Sequence, residues 1–206
     1  MPITNYLPSS RLIQPGVCTS TTRPASPFEG QAIYETDTDM MAIWNGSAWR
    51  YIAATTPTNG SILQVASATI TSATSTTSSS FGDISGLSVS ITPKSTSSKV
   101  FISVTMMVSG NSTDDCFFNI VRNSTAIGQG TGASNNQSLY LRLTDSLVPE
   151  SVSIDFLDSP STTSATTYKM QWRTRVGTLF LNNRAYETSG FVNSGISTIT
   201  VMEIAG

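Results

Sequence analysis

The sequence predicts an all-β chain of 206 residues, a small N-terminal hairpin unit ahead of a larger sandwich. Three observations lead there. Apolar residues recur with a period of two through Gly86–Thr92, Ser138–Thr144 and Thr167–Val176, the pattern of half-buried strands. Ser and Thr make up close to a third of the residues and charged residues only 12%, about half the usual ~25%. A hydrophobic content of 38% is too high for a disordered chain, so the solvent faces must be hydroxylic instead of charged. Finally, no convincing helical period occurs, and eight or more strand signals at this spacing indicate a sandwich or jelly roll.

The elements follow in order. Residues 1–22 hold prolines and small polar residues around scattered apolar anchors, Ile3, Tyr6, Leu7, Leu12 and Ile13. Neither period is sustained, so this reads as an extended arm that docks by those anchors. Residues 23–52 form a hairpin unit: a strand over Gln31–Glu35, a turn at Thr36–Asp39, a return strand over Met40–Trp44, and a third over Ala48–Ile52. Asn45-Gly46 is a strong hairpin signal, read here as a type I′ turn with Gly46 at positive φ. Residues 53–59 are a linker and residues 60–206 the sandwich.

Within the sandwich, Ile62–Ile70 is the first strand and Thr71–Ser80 a Ser/Thr loop or ragged edge. Gly86–Thr92 turns Leu87, Val89 and Ile91 inward, and Lys99–Val108 is apolar on both faces, as a central strand is. Cys116–Arg122 and Thr125–Gly128 pair across Asn123-Ser124. Leu139, Leu141 and Leu143 share one face, as do Val152, Ile154 and Phe156 on the next strand. Thr167–Val176 puts Tyr168, Met170, Trp172, Thr174 and Val176 inward against Lys169, Gln171, Arg173 and Arg175, and Thr178–Asn182 is expected to pair back through Gly177. Thr198–Ile204 closes the chain with Ile199, Val201 and Glu203 on one face.

The chemistry is sparse. With no histidine, Ser-His-Asp and Cys-His arrangements and most zinc and iron sites drop out. GQGTGAS at Gly128–Ser134 lacks the Lys-Ser/Thr of a phosphate loop. The carboxylate pairs Asp37/Asp39, Asp114/Asp115 and Asp155/Asp158 fit turns and solvent faces better than glycosidase work. Cys18 and Cys116 read as free thiols, and no cofactor or metal is expected. Net charge is −2 at pH 7 and pI about 5.0, which gives no footprint for nucleic acid. No apolar stretch reaches the roughly 20 residues of a membrane span, and the N-terminus lacks a basic, apolar leader, so synthesis in a bacterial cytoplasm is expected. Lys169, Arg173 and Arg175 read as an outward face or a subunit contact, and Asn182, Asn183, Arg184 and Tyr186 as a polar-aromatic loop suited to sugar.

Arg23–Ile52, RPASPFEGQAIYETDTDMMAIWNGSAWRYI, resembles a module found near the N-termini of bacteriophage tail-fibre and other virion proteins, with a "GQxIYETDTD…WxGxxW" run. Glu29, Gly30, Gln31, Ile33, Tyr34, Glu35, Thr36, Asp37, Thr38, Asp39, Trp44, Gly46 and Trp49 match it. Further on, ITPKSTSSKV, AIGQGTGAS, LDSPSTTSATTYKMQWR and STITVMEIAG resemble the C-terminal heads of phage fibre-like proteins. Those heads are trimeric jelly rolls of a tumour-necrosis-factor-like kind. The resemblance implies a non-enzymatic virion protein, a homotrimer that attaches by its N-terminus to other virion proteins of tail or capsid. As a short tail fibre it would present its head to a host surface glycan. As a capsid decoration or cement protein it would hold shell subunits together; the chain's brevity favours decoration or a very short fibre, and the hairpin module's usual company favours fibre. A polysaccharide depolymerase is disfavoured by the absent histidines, the short length and the lack of a repeat.

Overall fold

The computed structural model describes residues 15–52, 57–132, 136–145, 148–184 and 194–206. All regular structure among them is β, in two separate units, Met1–Thr56 and Pro57–Gly206. The division falls inside the expected 53–59 linker.

The first unit is one sheet of four strands in sequence order: β1 (Gly16–Cys18), β2 (Ala32–Glu35), β3 (Met40–Trp44) and β4 (Trp49–Ile52). The last three are the expected hairpin strands, antiparallel throughout. β1 departs from expectation. Gly16–Cys18, counted in the arm, pairs in parallel with Ile33–Glu35 and is part of the sheet. Three residues are too few to show a period. Ile33 and Ala42 fill a minimal core.

The second unit is a sandwich. Its strands are β5 (Ile62–Ile70), β6 (Thr74–Thr76), β7 (Gly82–Ile91), β8 (Lys99–Gly110), β9 (Asp114–Arg122), β10 (Thr125–Ile127), β11 (Leu139–Leu143), β12 (Glu150–Asp158), β13 (Thr166–Thr174), β14 (Leu179–Leu181) and β15 (Ser197–Ile204). In one sheet β8 carries β12 on one edge and, end to end, β15 and β14 on the other; β5 and β6 lie beyond these. In the second, β7, β13 and β9 lie side by side, with β10 and β11 end to end on the far edge of β9. The chain changes sheet at each major step, from β5 to β7, to β8, to β9, to β12, to β13 and to β14. That alternation is the jelly-roll topology.

Period-two patterning explains the packing. Val100, Ile102, Val104, Met106 and Val108 of β8 meet Cys116, Phe118 and Ile120 of β9 and Tyr168, Met170 and Trp172 of β13 in one core. Two expectations need correction. Val176 is not an inward strand residue but 51% exposed, because Thr174 ends the strand, donating its hydroxyl to the Val176 carbonyl. β14 does not pair back onto β13. It crosses to the other sheet and bonds to β8 and β6.

One polar cluster ties the two sheets together. Asp158, at the end of β12, takes both carboxylate oxygens to Arg122 Nη1 at 2.9 Å and accepts from the buried Tyr168 hydroxyl at 2.7 Å. Burial first, and then that bond, push the tyrosine's pKa far above its ordinary value. This cluster accounts for the spacing in LDSPSTTSATTYK: the crossover from Asp158 to Tyr168 returns the tyrosine to the aspartate it left.

Candidate functional site

The hairpin unit is built around one buried acid, with Arg23, Tyr51 and Thr38 gathered on it. Glu35 is fully buried at the end of β2. It accepts from Arg23 Nε at 2.5 Å, the Tyr51 hydroxyl at 2.9 Å and the Thr38 hydroxyl at 3.1 Å, while Arg23 Nη2 also donates to the Tyr51 oxygen. The Arg23 bond, helped by those from Tyr51 and Thr38, outweighs burial and holds the Glu35 carboxyl below its ordinary range. Asp37 accepts from both the amide and the hydroxyl of Ser20, clasping the segment after β1 onto the turn; the Ser20 hydroxyl is the main cause of its lowered pKa. Tyr34 donates to Asp39, which takes the left-handed conformation at φ 55° that closes the turn. Trp44 and Trp49 are register partners with ring centroids 5.6 Å apart, edge to face.

Gly46 lies at φ 92°, as expected, but the turn is not type I′, since Asn45 is not at positive φ. A four-residue loop joins Trp44 to Trp49, and Asn45 Oδ1 folds it by accepting from the amides of Ser47 and Ala48. Gly30, at φ 86°, donates its amide to the Trp44 carbonyl. Glu29 is exposed, with its carboxylate beside Gly46. Gly30, Tyr34, Asp37, Asp39, Trp44, Gly46 and Trp49 thus each have a structural task. The run is a folding signature for a unit with very little core.

The anchors Ile3, Tyr6, Leu7, Leu12 and Ile13, and Tyr186 of the sugar loop, lie outside the described residues. Within the described part of that loop, Asn182 departs from the expectation. Asn182 is fully buried. Its amide donates to the carbonyls of Ile70 and Ser72, and its Oδ1 accepts from the Ser197 hydroxyl at 2.6 Å. It plugs the corner where β5, β14 and β15 end and has no group left for a ligand. Asn183 is held through its carbonyl by Ser109 and through its Oδ1 by the Arg184 amide.

Of the acids weighed for catalysis, Asp37, Asp39, Asp115 and Asp158 sit in structural contacts. Asp115 accepts from Tyr140, Arg142 and Arg175, and the Tyr140 hydroxyl is the main cause of its lowered pKa. Asp155 is exposed on the outer face of β12. Glu203 is a buried acid facing the core, accepting from Gln64 at 2.5 Å and from the Lys94 amide at 2.7 Å. Burial pushes its carboxyl up, and these bonds more than reverse that, leaving it below its ordinary range. Among the described residues no three His, Cys, Asp or Glu side chains come together as a metal site would need.

A surface feature emerges from strand register alone. On the outer face of the sheet containing β8, Val65 pairs with Met202, Met202 with Phe101, and Phe101 with Leu157. This makes an apolar row across four strands, bordered by Ile204 and Ile62. Val65 is 56% and Leu157 48% exposed. The next rows along the strands are hydroxylic, with Ser67 bonded to Thr200 and Thr69 to Thr198. The double-sided apolar character of Lys99–Val108 was the part of this feature visible in the sequence.

No protein-family model and no curated protein matches the chain. Among solved structures, one titled as the structure of infectious bursal disease virus Gx strain aligns over 79% of this chain and 45% of its own, at 11% identity and a TM-score of 0.37. A second, titled as a crystal structure of the infectious bursal disease virus VP2 subviral particle, aligns over 89% and 46%, at 10% identity and a TM-score of 0.33. The chain spans less than half the length of either.

Proposed function

We propose that this chain is a non-enzymatic structural protein of a bacteriophage virion, a short homotrimeric tail fibre. Its N-terminal segment and hairpin unit attach it to other virion proteins, and its jelly-roll head faces the host surface. The observation that carries the assembly is the apolar row Val65–Met202–Phe101–Leu157, which a single chain leaves open to water. Burying such a row between copies removes apolar area from water at about 25 cal/mol per Å², and the hydroxylic rows beside it lose little by staying wet. Three copies also multiply the weak contacts that each of the two units makes. Support for the virion setting comes from the resemblance of the hairpin run and the head strings to phage fibre proteins. The role is one of binding, in keeping with the engagement of Glu35, Asp37, Asp115 and Asp158 in holding the fold.

Quantifying the protein in purified particles tests this reading. A fibre is present in tens of copies or fewer. Hundreds of copies would replace the fibre with a decoration protein, and absence from the particle would end the virion reading altogether.

A further inference from the structure

The outer face of the other sheet carries a second cross-strand row, and it contains a charge with no acid partner among the described residues. Gly82 pairs with Trp172, which sets Phe81 beside Arg173; Arg173 pairs with Phe117, and Phe117 with Tyr140. The Arg173 guanidinium lies 3.9 Å from the Phe117 ring centroid and 5.0 Å from that of Phe81. The segment leading to Phe81 is fixed by the bond from the Thr174 amide to the Ser78 carbonyl at 2.9 Å.

Every other cation near this face is matched by an acid. Lys169 pairs with Asp83 at 2.6 Å, Arg175 and Arg142 share Asp115, and Arg122 holds Asp158. Arg173 contacts only aromatic faces, so its N–H edges have no acceptor among the described residues. Those faces satisfy the charge in part and leave the directional donors of the fork unused.

Amides lie in the adjoining row. Asn119, 3% exposed, accepts at Oδ1 from Gln129 Nε2 and from the Ser138 amide, both at 3.1 Å. Gln129 Nε2 also donates to the Asn136 carbonyl. Asn119 Nδ2 and Gln129 Oε1 are then a donor and an acceptor with no protein partner among the described residues. Both residues line one depression with Arg173, Phe81, Ser79 and Ser80, of about 430 Å³, within the range of small-ligand sites.

We propose that this depression binds an acidic sugar residue of a surface glycan. The ligand's carboxylate lies on the free edge of Arg173, its ring C–H groups lie against Phe81, and a hydroxyl pair bridges Asn119 Nδ2 and Gln129 Oε1. A guanidinium fork fits a carboxylate in a bidentate manner. A hydroxyl both donates and accepts, which suits a neighbouring donor and acceptor better than a phosphate does. Asp83 and Asp115 on the same face leave too little positive charge for a polyanion. The inference rests on the fibre reading above, and it moves the receptor site from the Asn182–Tyr186 loop to the sheet face.

The test titrates the full-length protein with methyl glucuronide, methyl glucoside and inorganic phosphate, following side-chain amide and Arg Nε signals by NMR. Methyl glucuronide is expected to shift the Asn119, Gln129 and Arg173 signals saturably. Arg173→Gln should weaken it by about tenfold or more, as loss of a charged bond implies, at unchanged melting temperature; Arg175→Gln should bind as wild type. Saturable binding of phosphate on the same signals, no saturable shift with the glucuronide, or equal affinity in Arg173→Gln would overturn the site. Competition with virions for host cells separates the two readings. Competition by wild type and Arg173→Gln alike removes this site and keeps the receptor role, whereas no competition by wild type removes the receptor role whatever the titration gives.

Discussion

Replacing Asp158 with alanine takes away the one acceptor shared by Arg122 and Tyr168, and so cuts the polar tie between the two sheets of the head. The Tyr168 side chain is fully buried, so its hydroxyl cannot turn to water. An unpaired buried hydroxyl costs about 1–3 kcal/mol. Arg122 is 29% exposed and recovers part of its hydration, so its loss falls at the lower end of the ~3–5 kcal/mol seen when one partner of a buried pair is removed. These two costs overlap, and about 3–4 kcal/mol is expected for Asp158→Ala. Tyr168→Phe removes one bond to a charged acceptor that still holds Arg122, and should cost about 1–2 kcal/mol. The assay is guanidinium unfolding of the full chain at one protein concentration, followed by the fluorescence of buried Trp172 with Trp44 and Trp49 replaced by phenylalanine. The midpoint should fall with an unchanged slope. A loss below about 1 kcal/mol for Asp158→Ala, or a larger loss for Tyr168→Phe than for Asp158→Ala, would refute the reasoning.

Gly46→Ala isolates backbone strain, because a Cβ there would meet nothing nearer than the Glu29 side chain at 3.6 Å. At φ 92° the substitution should destabilise the hairpin unit by about 1–3 kcal/mol, read as a lowered transition in Trp44/Trp49 fluorescence with the Trp172 transition unmoved. Glu35 supplies a pH dependence: its folded pKa is lowered, so its contribution is fully present above the unfolded value near 4.5 and is lost as pH falls through the depressed one. The hairpin transition should therefore weaken as pH drops from about 5 to 3, and Glu35→Gln should be less stable at neutral pH and nearly flat over that range.

The sequence's legibility follows the physics of each feature. Strand faces were readable wherever a strand was long enough to alternate, as with Leu87, Val89 and Ile91 or with Tyr168, Met170 and Trp172, and the inward Glu203 followed from its neighbours Ile199 and Val201. β1 was invisible because three residues carry no period, and its place depends on Asp37 clasping Ser20. Asn182 misled because a polar run reads as surface. Only the tertiary closure between β14 and β15 gives its amide the partners that make burial favourable. Both outer-face rows depend on register, which links residues far apart in the chain. Phe101 and Met202, or Arg173 and Phe117, have no local signal that they will be neighbours.

The mass of the full-length protein in solution, with and without Met202→Glu, tests the central claim. Met202 sits in the middle of the apolar row with Val65 and Phe101 on either side, so a carboxylate there must lose its water if the row is covered by another copy. Sedimentation equilibrium should give three times the 21.9 kDa chain mass for the wild type. For Met202→Glu it should give the single-chain mass, with the far-ultraviolet spectrum of a folded β protein retained. A wild type that sediments as a single chain, or a Met202→Glu variant that remains a trimer, would contradict the account.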